Sequence, residues 1–192
     1  PIYFIDIKED VFALIHAGWK GTLKKIVSKT LKEMVRYYKL NHSNIKVVIG
    51  PGIDQNNYQV GNEIFLSFKS SWNIDLDFFK AEKANNKYRL DLKEANRRLL
   101  IDAGLPAENI YVSKLSTFNS EKFFESYRRD GETAGCRTLE GETRPRAGGG
   151  GARPDTGRGA EGVPRGVRPR GHVRVQRLRR RGRRDGVRLA AG

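Results

Sequence analysis

The first 135 residues of this 192-residue chain predict an α/β fold, and three observations carry that expectation. Apolar runs of strand length recur at Val11 to Ile15, Ile45 to Ile49 and Asn109 to Leu115. Between them lie segments whose apolar residues repeat at helical spacing. Glycine-bearing turns separate the two kinds of segment. Strands alternating with amphipathic helices are the pattern of a sheet covered by helices.

Each element has its own reason. Pro1 to Ile7 (PIYFIDI) is rich in β-formers. Val11 to Ile15 (VFALI) is too short for a helix and apolar enough for a buried strand. Gly18 and Gly21 then punctuate the chain. From Leu23 the period changes. Leu23, Ile26, Val27, Leu31, Met34, Val35 and Tyr38 fall on one helical face, with lysines on the other. Thr22 is placed to cap that helix. Ile45 to Ile49 is a second apolar strand, ended by Gly50-Pro51-Gly52. Gly61 to Ser70 fits a short helix. Asp91 fits the N-cap of a helix with Leu92, Ala95, Leu99 and Ala103 inward and Gly104 at its stop. Asn109 to Leu115 is the third strand. No internal repeat is visible.

Composition divides the chain. Residues 1–130 hold 15 Lys and 6 Arg against 16 acids, a net of +5, whereas residues 131–192 hold 16 Arg and no Lys against 6 acids, a net of +10. The second part also holds 15 of the 21 glycines and no Ile, Asn, Phe, Tyr, Ser or Trp. The sequence pI near 10.1 is therefore mostly a property of the tail, not of a basic globular domain. The reading is a domain over 1–135 and a disordered Arg/Gly-rich tail over 136–192, because the tail has no apolar periodicity to offset its ordering entropy. Cys136 is the single cysteine, which excludes a disulfide framework and suits a reducing cytoplasm. No apolar run approaches the ~20 residues of a membrane span. The first residue is Pro, so the natural start is expected to lie upstream.

His16 raises the functional question. It ends a buried strand just before a helix, and ligands of α/β sheets bind at that edge. The neighbouring glycines let a ligand approach the backbone, and a helix start offers N–H groups to an anion. Neutral imidazole serves as metal ligand or general base. Taken alone, the spacing favours a structural histidine hydrogen-bonded in the core. His42 lies in a polar turn, and His172 in the tail. Cys136 has no evident partner and reads as inert.

Four motifs occur in order: HAGWKGT (His16 to Thr22), GPGI with YQVG (Gly50 to Ile53, Tyr58 to Gly61), the DL…N…L…AGL run (Asp91 to Leu105) and FFESYRRDGETAG (Phe123 to Gly135). Together they closely resemble the laccase-like, or multicopper polyphenol oxidase, family that includes YfiH and FAMIN. The resemblance implies a four-layer α/β/β/α sandwich and a zinc-type site of two His and one Cys, with copper sometimes claimed. It implies phosphorolysis of purine nucleosides, methylthioadenosine among them, and deamination of adenosine. His16 matches one metal ligand. The family's Cys ligand directly precedes a proline that corresponds to Pro1, and its first His lies further upstream. Neither stands in this sequence, so the fragment is expected to be inactive as given, since catalytic zinc needs about three protein ligands.

The same resemblance suggests substrate-facing residues. Trp19 forms an apolar wall or stacks on a base. Lys20 stands where the family often has Arg, and Tyr58 is a weaker pocket candidate. Of Arg128 and Arg129, one is expected to bind phosphate or the ribose side and the other to be structural. Ser116 stands where the family commonly has Cys before Thr. The expected partners are purine nucleosides and phosphate, with the protein a cytoplasmic monomer that binds no membrane. A contrasting reading is RNA binding, confined to the Arg/Gly-rich tail. Against it, the composition change near Gly135 matches a switch from AT-rich to GC-rich codons, as a frameshift or chimeric join would produce. A true copper phenol oxidase fits poorly, because the chain has three histidines and no HxH pair.

Overall fold

The structure is a computed structural model that describes residues 1–82 and 86–130, together with two strands at 173–177 and 185–189. It is a mixed α/β molecule with two sheets. The larger has six strands in the order β7-β3-β1-β2-β8-β9, formed by β1 (Ile2–Asp6), β2 (Val11–Ile15), β3 (Ile45–Ile49), β7 (Ile110–Val112), β8 (Val173–Arg177) and β9 (Asp185–Leu189). The β3–β7 pair is parallel and the other pairs are antiparallel. The smaller sheet orders β4 (Gln59–Gly61), β6 (Lys87–Leu90) and β5 (Phe79–Glu82) as β4-β6-β5.

Period-two burial explains the large sheet. Ile2 and Phe4 of β1, Val11, Ala13 and Ile15 of β2, and Ile45, Val47 and Ile49 of β3 are all buried. Their register puts them on one face, Phe4 opposite both Ala13 and Val47. The helices α2 (Ile26–Tyr38) and α4 (Leu92–Asp102) contribute Val27, Leu31, Met34, Ala95, Leu99 and Leu100 to the same core. Ser28 Oγ donates to the Leu99 carbonyl at 2.9 Å and links these helices. The opposite face of the sheet is apolar yet open. Tyr3, Ile5 and Leu14 are exposed there, with Phe12 and Val48 half-buried beside them.

The turn after β2 differs from the sequence expectation. Thr22 is not an N-cap. It lies buried inside a short helix α1 (Trp19–Leu23), where its Oγ1 and the Asn96 amide exchange hydrogen bonds of 3.2 and 3.0 Å. Lys25 adopts a left-handed conformation, φ 57°, and breaks the expected single helix into α1 and α2. The third strand is shorter than expected: Ser113 still donates its N–H to the Ile49 carbonyl at 2.8 Å, but the Ser113 and Leu115 carbonyls turn to Lys93 Nζ at 2.9 and 3.2 Å. The cap of α4 follows the sequence: the Asp91 side chain accepts from the Glu94 N–H at 2.9 Å. Gly104, at φ +90°, ends that helix in a conformation glycine adopts without strain.

The small sheet and α3 (Asn62–Ser71) close over an aromatic cluster of Phe65, Phe68, Trp72, Phe78, Phe79 and Tyr88. Trp72 Nε1 donates to the Leu23 carbonyl at 3.0 Å and ties this cluster to α1.

The expected disordered tail over 136–192 requires a correction at ten residues. Val173–Arg177 pairs along the whole of β2, and Asp185–Leu189 pairs with it in turn. The segment VRVQR alternates apolar and polar residues as a strand does, and the otherwise open edge of β2 offers it a ladder of unpaired backbone groups. The rest of the tail, with Cys136 and His172, lies outside the described residues. Among the described residues, no helix is long and apolar enough to cross a membrane.

Candidate functional site

The register brings several chain ends to one edge of the large sheet. Ile2 pairs with both Ile15 and Ile49, so the start of β1 meets the ends of β2 and β3, and parallel β7 ends beside β3. That edge carries His16, Gly50 to Gly52 and the segment after β7. Gly50 donates its N–H to the Pro1 carbonyl at 2.9 Å. A Cβ there would come within 3.0 Å of the Pro1 ring and 3.2 Å of its carbonyl, so only glycine fits without movement.

His16 follows β2 directly and is exposed. Its ring lies over the start of α1, where a Cβ on Gly18 would sit 3.3 Å from Nε2. Partial enclosure by the surrounding chain lowers the imidazole pKa. His16 therefore presents a neutral imidazole near neutral pH. His42 lies at the opposite end of β3, in the turn that precedes Ile45. Among the described residues there is no group of three or more His, Cys, Asp or Glu that could hold a metal ion. One imidazole does not fit a zinc centre, which takes about three protein ligands.

Trp19 is half-buried against the core, and Lys20 Nζ lies 5.4 Å from its ring centroid. The indole is thus a wall of α1 with a cation at its face. Tyr58 is buried, with the Arg128 guanidinium over its ring. Burial raises its hydroxyl pKa, with Arg128 pulling weakly the other way.

The two adjacent arginines of α5 (Tyr127–Asp130) have different surroundings. Arg129 donates Nε–H to Asp130 at 2.7 Å, Nη1 to the Thr117 and Phe118 carbonyls at 3.1 and 2.7 Å, and Nη2 to the Phe124 carbonyl and Asp130 at 2.9 and 2.8 Å. A guanidinium has five N–H donors, and all five have acceptors here. Arg128 is exposed, rests 5.3 Å over the Tyr58 ring and, among the described residues, makes one hydrogen bond, Nη1 to the Gln59 carbonyl at 2.9 Å. Most of its fork faces outward.

A network that the sequence reading did not single out lies between the loops after β3 and β7. The Asp54 carboxylate accepts from the Ser116 hydroxyl, from the Asn57 N–H at 3.2 Å and side chain at 2.9 Å, and from the Asn119 amide at 3.3 Å. Burial works to raise the Asp54 pKa, but the hydrogen bonds from Ser116 and Asn57 outweigh it and hold the pKa below the usual range. Gly52 and Ser116 form a parallel bridge between the loops after β3 and β7. The DQNN run carries no motif, so only the fold reveals this network. Ser116 is buried and hydrogen-bonded, a small polar residue that suits its place.

Residues 1–139 match the family described as multi-copper polyphenol oxidoreductase laccase, and the chain belongs to that family. It is 37% identical over 128 residues to a purine nucleoside phosphorylase of Staphylococcus epidermidis, covering 67% of this chain and 46% of that protein. It is 35% identical over 142 residues to the adenosine deaminase RL5 of an unknown prokaryote, covering 73% of this chain and 53% of that one. The crystal structure of YlmD from Geobacillus stearothermophilus matches with a TM-score of 0.66 at 36% identity, over 70% of this chain and 50% of that one. The chain spans about half the length of the curated relatives it matches.

Proposed function

We propose that this chain supplies the phosphate- and ribose-facing side of a purine nucleoside site, in a phosphorylase and adenosine deaminase of the laccase-like family. The observation that carries the reading is the division of labour between the two arginines of α5. Arg129 is spent on backbone carbonyls and Asp130, which holds α5 against the loop after β7. Arg128 is thereby held over Tyr58 with its outer N–H groups turned to solvent. A guanidinium so held binds phosphate bidentately. Tyr58 acts as its platform, Lys20 adds a second positive charge, and Trp19 walls the site.

Phosphorolysis joins phosphate to the ribose C1′ and releases the purine. Arg128 would orient that phosphate and offset its charge. His16 would present neutral imidazole at the end of β2. A zinc-type centre, or copper, would need ligands besides His16. The open face of the large sheet, with Tyr3, Ile5 and Leu14, would seat the second sheet of a four-layer sandwich. A cytoplasmic monomer remains the reading for the whole protein, with purine nucleosides and phosphate as its ligands.

An assay of adenosine deamination and inosine phosphorolysis, with phosphate and added zinc, tests this reading. The chain as it stands is expected to show no turnover while retaining phosphate binding through Arg128. Turnover by this chain that His16→Ala abolishes would show that its own residues complete the centre.

A further inference from the structure

Asp54 stands where the two halves of the Arg128 seat meet. The first half follows β3. Asp54 caps the short 3-10 turn Gln55–Asn57 by accepting from the Asn57 N–H at 3.2 Å, and Tyr58 closes that turn with its N–H on the Gln55 carbonyl at 3.2 Å. Tyr58 supplies the ring under Arg128, and Gln59 supplies the carbonyl that Arg128 Nη1 meets. The second half follows β7. The Ser116 hydroxyl donates to Asp54 and accepts from the Phe118 and Asn119 N–H groups at 3.2 and 3.4 Å. That turn presents the Thr117 and Phe118 carbonyls to Arg129, the neighbour of Arg128 on α5. The Asn119 amide reaches the same carboxylate at 3.3 Å, and the Asn57 amide donates to Asn119 Oδ1 at 3.1 Å.

A capping role accounts for the bond to the Asn57 N–H alone. The carboxylate also gathers side-chain donors from the far loop, and an ionised carboxylate is the acceptor-only group that such a convergence needs. The consequence falls on Arg128. Its ring platform and its one carbonyl belong to the loop after β3, while its own helix is anchored to the loop after β7. The direction of the guanidinium therefore depends on how the two loops stand to each other, and a small misplacement of a binding group is costly. We propose that Asp54 is a positioning residue for Arg128, locking the loop that carries Tyr58 and Gln59 to the loop that anchors α5. The inference rests on the reading of Arg128 as the phosphate-binding arm, and it gives Asp54 no contact with substrate.

The test uses the full chain and reads Arg128 in two ways. Asp54→Asn keeps the side chain's size but turns N–H groups toward the Ser116, Asn57 and Asn119 donors. In carbon–proton correlation NMR, the Arg128 δ-methylene is identified by its loss in Arg128→Gln. It should lie upfield in the wild type, shielded by the Tyr58 ring, and move downfield in Asp54→Asn. Ser116→Ala cuts the tie from the other loop and should move the signal the same way, so it carries the test even where Asp54→Asn does not fold. Asn41→Ala removes the cap of the 3-10 turn before β3, at the strand's opposite end, and should leave the signal in place. Calorimetric titration with inorganic phosphate should show binding weakened about tenfold or more in Asp54→Asn. In the Arg128→Gln background the same change should cost nothing further. Unchanged circular dichroism shows that each variant is folded. An Arg128 signal unmoved in Asp54→Asn and Ser116→Ala, or moved equally in Asn41→Ala, would overturn the proposal. So would a loss of phosphate affinity that adds in full to that of Arg128→Gln. A wild type that binds no phosphate would overturn the reading of Arg128 as the arm, and the Arg128 signal would then decide the positioning alone.

Discussion

At the residue scale, the adjacent arginines of α5 show how identical side chains acquire different work. Removing Arg129 leaves three backbone carbonyls without their donor and takes the guanidinium from Asp130, which keeps the Ser126 N–H. Arg129→Ala should therefore destabilise the fold clearly more than Arg128→Ala, as chemical denaturation would read. Arg128→Ala removes one hydrogen bond and an exposed ring contact and should cost less than about 1 kcal/mol. Equal losses would contradict the division between scaffold and ligand arm.

His16 supplies a pH prediction. Its folded-state pKa is lowered, so between that value and about 6.5 the unfolded chain binds the additional proton. Stability should then fall as pH drops below about 6.5 and level off below the folded pKa. The ring resonance of His16 in proton NMR should titrate below 6.5, and His16→Gln should flatten the stability slope in that window. A His16 pKa at or above 6.5 would contradict the enclosure described for it.

At the element scale, strands and caps were readable because short-range rules decide them. The bounds of Val11–Ile15 and Ile45–Ile49 follow from apolar runs closed by turn residues. Asp91 and Gly104 bracket α4 through local chemistry, and each can be tested. Asp91→Ala should cost about 1 kcal/mol by losing the cap. Gly104→Ala should cost roughly 1–2 kcal/mol, because a Cβ is strained at φ +90° even though nothing crowds it. A measured change below about 0.3 kcal/mol in either would contradict the assigned role. The β5–β6 pair was not readable, because FKAE and KYRL are short and half polar. Their place comes from the aromatic cluster under α3, which assembles residues distant in sequence. The break at Lys25 was hidden for a similar reason. Thr22 looks like a cap in sequence, but its tie to Asn96, 74 residues away, holds it inside α1.

At the scale of the whole molecule, the large sheet has one committed face and one open one. Exposure of 40% for Tyr3, 37% for Ile5 and 40% for Leu14 makes a contiguous apolar surface of the kind that associates. Leu14→Lys should raise the protein concentration at which light scattering first detects association, with little change in thermal midpoint. A large drop in midpoint would instead place Leu14 in the folded core. The candidate site was legible only as a set of names. His16, Arg128 and Arg129 stand in motifs that a reader can find, but which arginine is free depends on the carbonyls of Thr117, Phe118 and Phe124. The Asp54 network, which joins the loops after β3 and β7, had no sequence signal at all.

The central claim is that Arg128, held over Tyr58, is the phosphate-binding arm of a nucleoside site. Calorimetric titration of inorganic phosphate, with and without inosine, into the wild-type chain and Arg128→Gln tests it most directly. The account predicts saturable phosphate binding that Arg128→Gln weakens at least tenfold, with the fold intact. Phosphate binding of equal strength in both proteins, or none in either, would contradict it.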